Sequence, residues 1–317
     1  MREYVIRRLL AAAVVVALVS VMVFIMMHLL PGDALLVKLG ETGRIPPDKM
    51  AQLRSEMGID DPLVVQYLRW VTDVLNGSMG ESLIFEGQDV SSRILDAIPI
   101  TLELAVLAIT CALAIGIPLG VLSAVAHDRP ADHLIRMLSL MGLSIPSFLL
   151  GLVVIVYGTL YFGYVPPRGF VPILDDPVSN LRQMWIPALI LGYGLSASIM
   201  RMTRSTVLEA LKEDYVRTAR AKGLSGHTIV IRHVLRNALI PVVTLVGNQA
   251  AFVFSGALIL EVLFVLPGMG QLTYSAILQR DYTQVQGNAL VVASIVVLVN
   301  LAVDLSYGLI DPRIRYS

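Results

Sequence analysis

Few residues in this chain could make or break bonds. The five histidines, His28, His127, His133, His227 and His233, are scattered, and none stands at metal-ligand spacing from a cysteine or a carboxylate. Cys111 is the single cysteine; it lies in an apolar run, has no partner for a disulfide and reads as small packing. Glu103, Glu261 and Asp304 lie in apolar stretches, far apart, and no two of them have helical spacing. An acid–base pair is therefore not legible. There is no H-E-x-x-H, and no G-x-x-x-x-G-K-[ST] loop to cradle phosphate, so the chain does not bind ATP by that route.

The residues can instead concentrate charge. Between Arg201 and Asn237 stand eight Lys/Arg against three acids, Glu209, Glu213 and Asp214, with long apolar runs on both sides. Such a loop belongs on the cytoplasmic side of a bilayer. Val207, Leu211, Tyr215 and Ala219 recur every four residues and predict one helical face. Acids come first and bases later, which suits the helix dipole. Gly223 is placed to take the left-handed conformation that ends such a helix. Ile229, Ile231, Val234 and Leu235 predict a second short amphipathic piece, with Pro241 just beyond it. A solvated loop with incidental periodicity is the plainer alternative.

The elements that position this loop are membrane spans. Of 317 residues 56% are hydrophobic and 15% charged, with mean hydropathy +0.74. Soluble domains average about 25% charged. A formal net charge of zero and the absence of a basic-aromatic patch give no sign of nucleic-acid binding. The composition predicts an all-α, polytopic membrane helical bundle with six transmembrane helices. The first covers Leu9 to Leu30; its apolar run is too long for a signal-peptide core, so it reads as a retained span. Residues 31–98 form a polar extracytoplasmic insert with two amphipathic pieces, one with Met50, Leu53 and Met57, the other with Val64, Tyr67, Leu68, Val71 and Leu75.

Pro99 is expected to open the second span, which runs to Ala126, and Gly116, Pro118 and Gly120 to loosen it. A third, Met137 to Val165, is interrupted by Pro146, near Ser144 and Ser147. A fourth, Trp185 to Met200, carries Gly192 and Gly194 for close packing. A fifth, Ala238 to Val262, holds Thr244, Asn248, Gln249 and Ser255. Polar residues there face a bundle or a watery cavity. Asn248 and Gln249 are adjacent and point about 100° apart. Pro267, Gly268 and Gly270 form a turn, DYTQVQG leads on, and the sixth span runs Asn288 to Leu309. The domains so divide into 1–30, the insert 31–98, the core 99–309 and a tail 310–317.

With both termini inside, the inner segments hold 15 Lys/Arg in 63 residues and the outer ones 9 in 112. The inner density is about three times higher, as the positive-inside rule requires.

The stretch EDYVRTARAKG, followed by RHVLRNALIP, resembles the "EAA" loop of inner-membrane permease subunits of ATP-binding-cassette importers, and most of all the dipeptide, oligopeptide and nickel permease family. RRLL, LPGD, PGMG and DPRIR add to the likeness along nearly the whole chain. The family pattern is Glu-Ala-Ala, three residues, Gly, then Leu-Pro. Ala219 and Gly223 match it, Ile240-Pro241 stands for Leu-Pro, and Arg217 and Thr218 stand where Glu and the first Ala would be. The role of that Glu is therefore not carried over.

The resemblance implies a type I importer fold in a bacterial inner membrane, half of a pore completed by a homologous second permease. It implies two ATPase subunits at the loop and an extracytoplasmic substrate-binding protein. No cofactor is expected on this chain, ATP and Mg lying on the partners. It marks Glu213, Asp214, Tyr215, Arg217, Ala219, Arg220, Ala221, Lys222, Gly223, Arg232, Arg236 and Asn237 as the ATPase-coupling loop. Ser144, Ser147, Thr244, Asn248 and Ser255 are the pathway candidates. Peptides are the expected cargo, with glutathione or nickel as alternatives. An ion-coupled carrier is the rival mechanism, but the two halves show none of the similarity it favours.

Overall fold

The computed structural model describes residues 2–29, 60–85, 87–167 and 169–310. The LPGD and DPRIR motifs and the first amphipathic piece of the insert lie outside the described residues. The described residues are helical, in ten helices, with one isolated bridge between Glu81 and Asp89. Five helices are long and apolar enough to cross a membrane, or six if one sharply bent pair counts as a single span.

The chain forms two compact units, residues 1–100 with 267–301, and residues 101–266 with 302–317. The division falls inside two helices. In the first unit α1 (Arg2–Leu29) is apolar on every side from Leu9 to Met27 apart from Ser20, as a span must be. Helix α2 (Leu63–Leu75) realises the second amphipathic piece of the insert, starting after Pro62. Its Tyr67 hydroxyl lies 2.8 Å from that of Ser20, and Tyr67 and Trp70 pack on Phe24 of α1.

Helix α3 (Val90–Val125) begins at Val90, not at Pro99. Asp89 caps it by accepting a bond from the Ser92 N–H at 3.3 Å, and Val90, Ile94 and Ala97 bury one face. Pro99 sits within the helix. That is tolerated in membrane helices, where neighbours re-satisfy the freed carbonyl.

After Phe264 the backbone turns at Val265 (φ 56°), and a helix the sequence pattern does not reveal follows, α9 (Met269–Leu278). Gly270, expected in a turn, lies inside it. Then α10 (Tyr282–Ile310) starts before the predicted Asn288. The reason is Asp281, which is 1% exposed and accepts bonds from the N–H groups of Leu83 (3.1 Å) and Gln284 (3.2 Å) and from the Ser82 hydroxyl.

In the second unit the predicted third span is two helices, α4 (Pro130–Ser144) and α5 (Ser147–Phe162), bent by 100°. Pro146 forbids the helical bond and forces Ile145 into an extended conformation (φ −95°, ψ 118°). Helix α6 (Pro177–Ala210) outruns the predicted span at both ends. Asp176 caps it, accepting from the N–H groups of Val178 and Ser179 and from the Ser179 hydroxyl; the Ser179 bonds hold its carboxyl below the usual range.

Gly116 and Gly120 do not loosen α3, which runs unbroken. A Cβ on Gly116 would meet Ile199, and one on Gly120 would meet Thr203, each at 2.6 Å. A Cβ on Gly192 of α6 would come as close to the Ala108 carbonyl, so small residues let these helices approach. Gly194, by contrast, has only ordinary contact space.

Candidate functional site

The loop expected to carry function is built on the ends of three long helices. After α6 ends at Ala210, a turn leads to α7 (Asp214–Ala221), and α8 (Gly226–Phe264) follows. The predicted single face of Val207, Leu211, Tyr215 and Ala219 is corrected. The turn at Leu211–Glu213 breaks the helix phase, so each helix has its own buried pair three residues apart: Val207 with Ala210, and Val216 with Ala219. Tyr215 is exposed. Glu213 caps α7 rather than lying within it.

Gly223 adopts φ +77°. Its N–H donates to the Arg220 carbonyl at 2.9 Å, and the Leu224 N–H to that of Ala219 at 3.3 Å. This pair of bonds is the Schellman stop, and it needs a residue content with positive φ.

The second amphipathic piece is not a separate helix. The start of α8 is a wide turn, Ile229–Val234, with i→i+5 bonds. Ile229 and Val234 are both buried, a five-residue step that such a turn puts on one face, while Ile231 is exposed. Pro241 lies inside α8. A 3.6-residue template has no way to signal this change of pitch.

Ala124, Val207, Ala210, Val216, Ala219, Ile229, Val234 and Ala238 form one apolar cluster. It fixes α7 to the last turns of α3 and α6 and to the first turns of α8. Of the coupling-loop residues named from sequence, only Ala219 faces inward; Glu213, Asp214, Tyr215, Arg217, Arg220, Ala221, Lys222, Gly223, Arg232, Arg236 and Asn237 are exposed. The Arg217–Asp214 contact, 3.4 Å and exposed, contributes little. The loop is thus a stiff, apolar-based platform with a basic outer face.

Sequence reading missed what ties this platform inward. Asp132, fully buried at the start of α4, is gripped by Arg204 of α6 through two bonds of 2.8 Å, and also accepts from the Ser123 hydroxyl (2.5 Å) and the Asp128 N–H (3.1 Å). Arg204 is one turn before Val207, so the platform, α6 and α4 move as joined parts. The partners are 72 residues apart, which no local spacing reports. Helix α4 starts at Pro130, ahead of the expected Met137, and the proline at its first position is the local signal for that start.

The pathway candidates lie on α4, α5 and α8. The hydroxyls of Ser144, Thr244 and Ser255 bond the carbonyls four residues back, of Leu140, Ile240 and Ala251. Ser144, Asn248 and Ser255 are exposed, and Ser147 and Thr244 partly so. The neighbour of Asn248, Gln249, instead lines a cavity of about 640 Å³ with Arg136, Ser139, Ser198, Arg201 and Ser205. Among the described residues no three His, Cys or carboxylate groups gather as a metal site.

Comparison with known proteins agrees with this architecture. The family described as the binding-protein-dependent transport system inner membrane component matches residues 116–316, and its N-terminal companion matches residues 1–105. A dipeptide transport system permease protein, DppB of Escherichia coli K12, is 38% identical, with all of both chains covered. A protein of Brucella abortus strain 2308, provisionally named a peptide transport system permease protein, is 36% identical over the full length of both. Among solved structures, the inward-facing MetNI methionine ABC transporter shares the fold at TM-score 0.53 and 19% identity, over 69% of this chain and 96% of that one. The all-α bundle of membrane helices, the apolar-based loop and these full-length likenesses lead to one conclusion: the chain belongs to the permease family of inner-membrane components of binding-protein-dependent transport systems.

Proposed function

We propose that this permease forms half of a transmembrane path for short peptides, completed by a second, similar permease. An ATPase subunit docks on α7, a like subunit serves the second half, and an extracytoplasmic binding protein supplies cargo. The platform faces the cytoplasm, since the basic residues concentrate there. Support for peptides comes from relatives at 36–38% identity over the whole chain that carry peptide-permease names.

The observation that carries the coupling role is the rigid seat of α7. When two ATPase subunits close on ATP, a push on its exposed face passes through the apolar cluster to α3, α6 and α8, and through Arg204–Asp132 to α4. Protein interiors are too densely packed to absorb such a displacement locally. The chain binds no nucleotide in this scheme; it is a permease component and not an enzyme.

Gly223→Val tests it. The site has open space around it, so the effect is strain at positive φ and not a clash. In vesicles holding the full transporter, the variant is expected to insert normally and hydrolyse ATP while peptide uptake falls about tenfold, the scale of 1–2 kcal/mol of strain. Undiminished uptake tied normally to hydrolysis argues against α7 as the coupling element.

A further inference from the structure

The cavity of about 640 Å³ in the second unit has an unusual charge distribution. Three guanidinium groups border it, from Arg136 of α4 and from Arg201 and Arg204 of α6. Arg204 is committed to Asp132. Among the described residues Arg136 and Arg201 have no ion pair. Two uncompensated like charges from different helices therefore border one concave space. Both side chains are exposed, so water screens their repulsion, and together they offer an anion two sets of donors on one wall. Ser198 and Gln249 add a hydroxyl and a side-chain amide, and Leu140 and Leu245 an apolar wall. The volume lies in the roughly 300–1,000 Å³ range of small-molecule sites. Guanidinium forks match the two oxygens of a carboxylate.

We infer that this cavity holds the terminal carboxylate of the peptide cargo at the cytoplasmic end of its path, with Arg136 and Arg201 as the groups that grip it. A phosphate of a lipid headgroup offers similar oxyanion chemistry. The cargo is favoured because the rim combines a few donors with an apolar wall, which suits a small amphiphile. The inference rests on the peptide transport proposed above, and it makes the site one of release: cargo dwells on the two arginines before leaving.

The test works from the side where no binding protein acts. The full transporter is placed in phosphatidylcholine vesicles, with the binding protein outside and ATP inside, and uptake of labelled dialanine is measured. Vesicles are preloaded with unlabelled dialanine or with dialanine amide, which lacks the carboxylate. Dialanine is expected to slow uptake by wild type and the amide to leave it unchanged. Arg136→Gln/Arg201→Gln should lose the response to dialanine, weakening it about tenfold or more. Arg136→Lys/Arg201→Lys, keeping charge without the fork, should retain part of it. Equal slowing by acid and amide, no slowing by either, or a Gln variant that still discriminates overturns the inference. So does an effect of the arginines that appears only when phosphatidylglycerol is added and is indifferent to preloaded peptide, since the anion is then a lipid's. If wild type takes up no dialanine in an ATP-dependent way, it is the underlying peptide transport that fails, which the other outcomes do not imply.

Discussion

Two buried aspartates, one in each unit, are held by different chemistry. Asp281 of the first unit sits among neutral donors: a hydroxyl and two backbone N–H groups, with the Arg93 guanidinium no nearer than 3.8 Å. Its donors come from the strap at Ser82 and Leu83 and from the first turn of α10. Nearby, Gln284 donates to Asn288 at 2.8 Å and Asn288 to Thr273 at 3.1 Å, continuing a polar seam. Asp132 of the second unit is held instead by a two-pronged ionic grip from a distant helix, with Ser123 and the Asp128 N–H completing its shell. The first arrangement spreads its bonds over small local donors and fastens a strap to a helix start. The second concentrates them on one long side chain, and so joins two helices far apart in the chain.

This contrast can be broken by substitution. Arg204→Gln is expected to have the largest effect, because it leaves the Asp132 carboxylate buried without its counter-charge. A cost of about 3–5 kcal/mol is usual for removing one partner of a buried pair. Thermal unfolding of the detergent-solubilised chain measures it. A loss below about 1 kcal/mol, the scale of an exposed pair, makes the grip incidental.

Asp281→Asn should cost less, about 1–3 kcal/mol, since one oxygen survives and one donor is orphaned. Protease nicking between Ser82 and Asp89 reads it locally, and equal nicking in variant and parent removes the strap role. Ser82→Ala should be smaller again, about 1–2 kcal/mol, because the backbone donors to Asp281 remain while the hydroxyl's bond to Asp281 and those it accepts from the Ile84 and Phe85 N–H groups are lost. If it equals Asp281→Asn, the hydroxyl and not the peptide groups dominates the site.

The same contrast shows what a sequence can display. The membrane-helical class, the basic loop, the glycine stop at Gly223 and the break at Pro146 are legible, because each is a local property of composition or of one residue's backbone. The early start of α3 is masked by Pro99, which resembles a helix beginning, while the true local signal is the capping Asp89. Helix α9 was hidden behind PGMG, whose glycines suggest a turn. A four-residue repeat carried across the turn at Leu211–Glu213 points to Tyr215, whereas the buried residue is Val216. Asp132 with Arg204, and Asp281 with Ser82, join residues far apart in the chain, and Gln249 differs from Asn248 only in which way the helix points it. Such facts depend on packing between elements, and periodicity within one element does not encode them.

The wide turn at Ile229–Val234 sets that direction. It packs one more residue into a turn than the helix beyond it, so it works like a vernier between the platform and the long helix it launches. Winding the same residues at ordinary pitch would instead rotate everything beyond by about 100°. Gln249 would swing off the cavity, and Val253, Ala257 and Leu260 would leave their buried face together. One residue's worth of winding near the membrane surface thus decides which chemistry the span presents along its whole length.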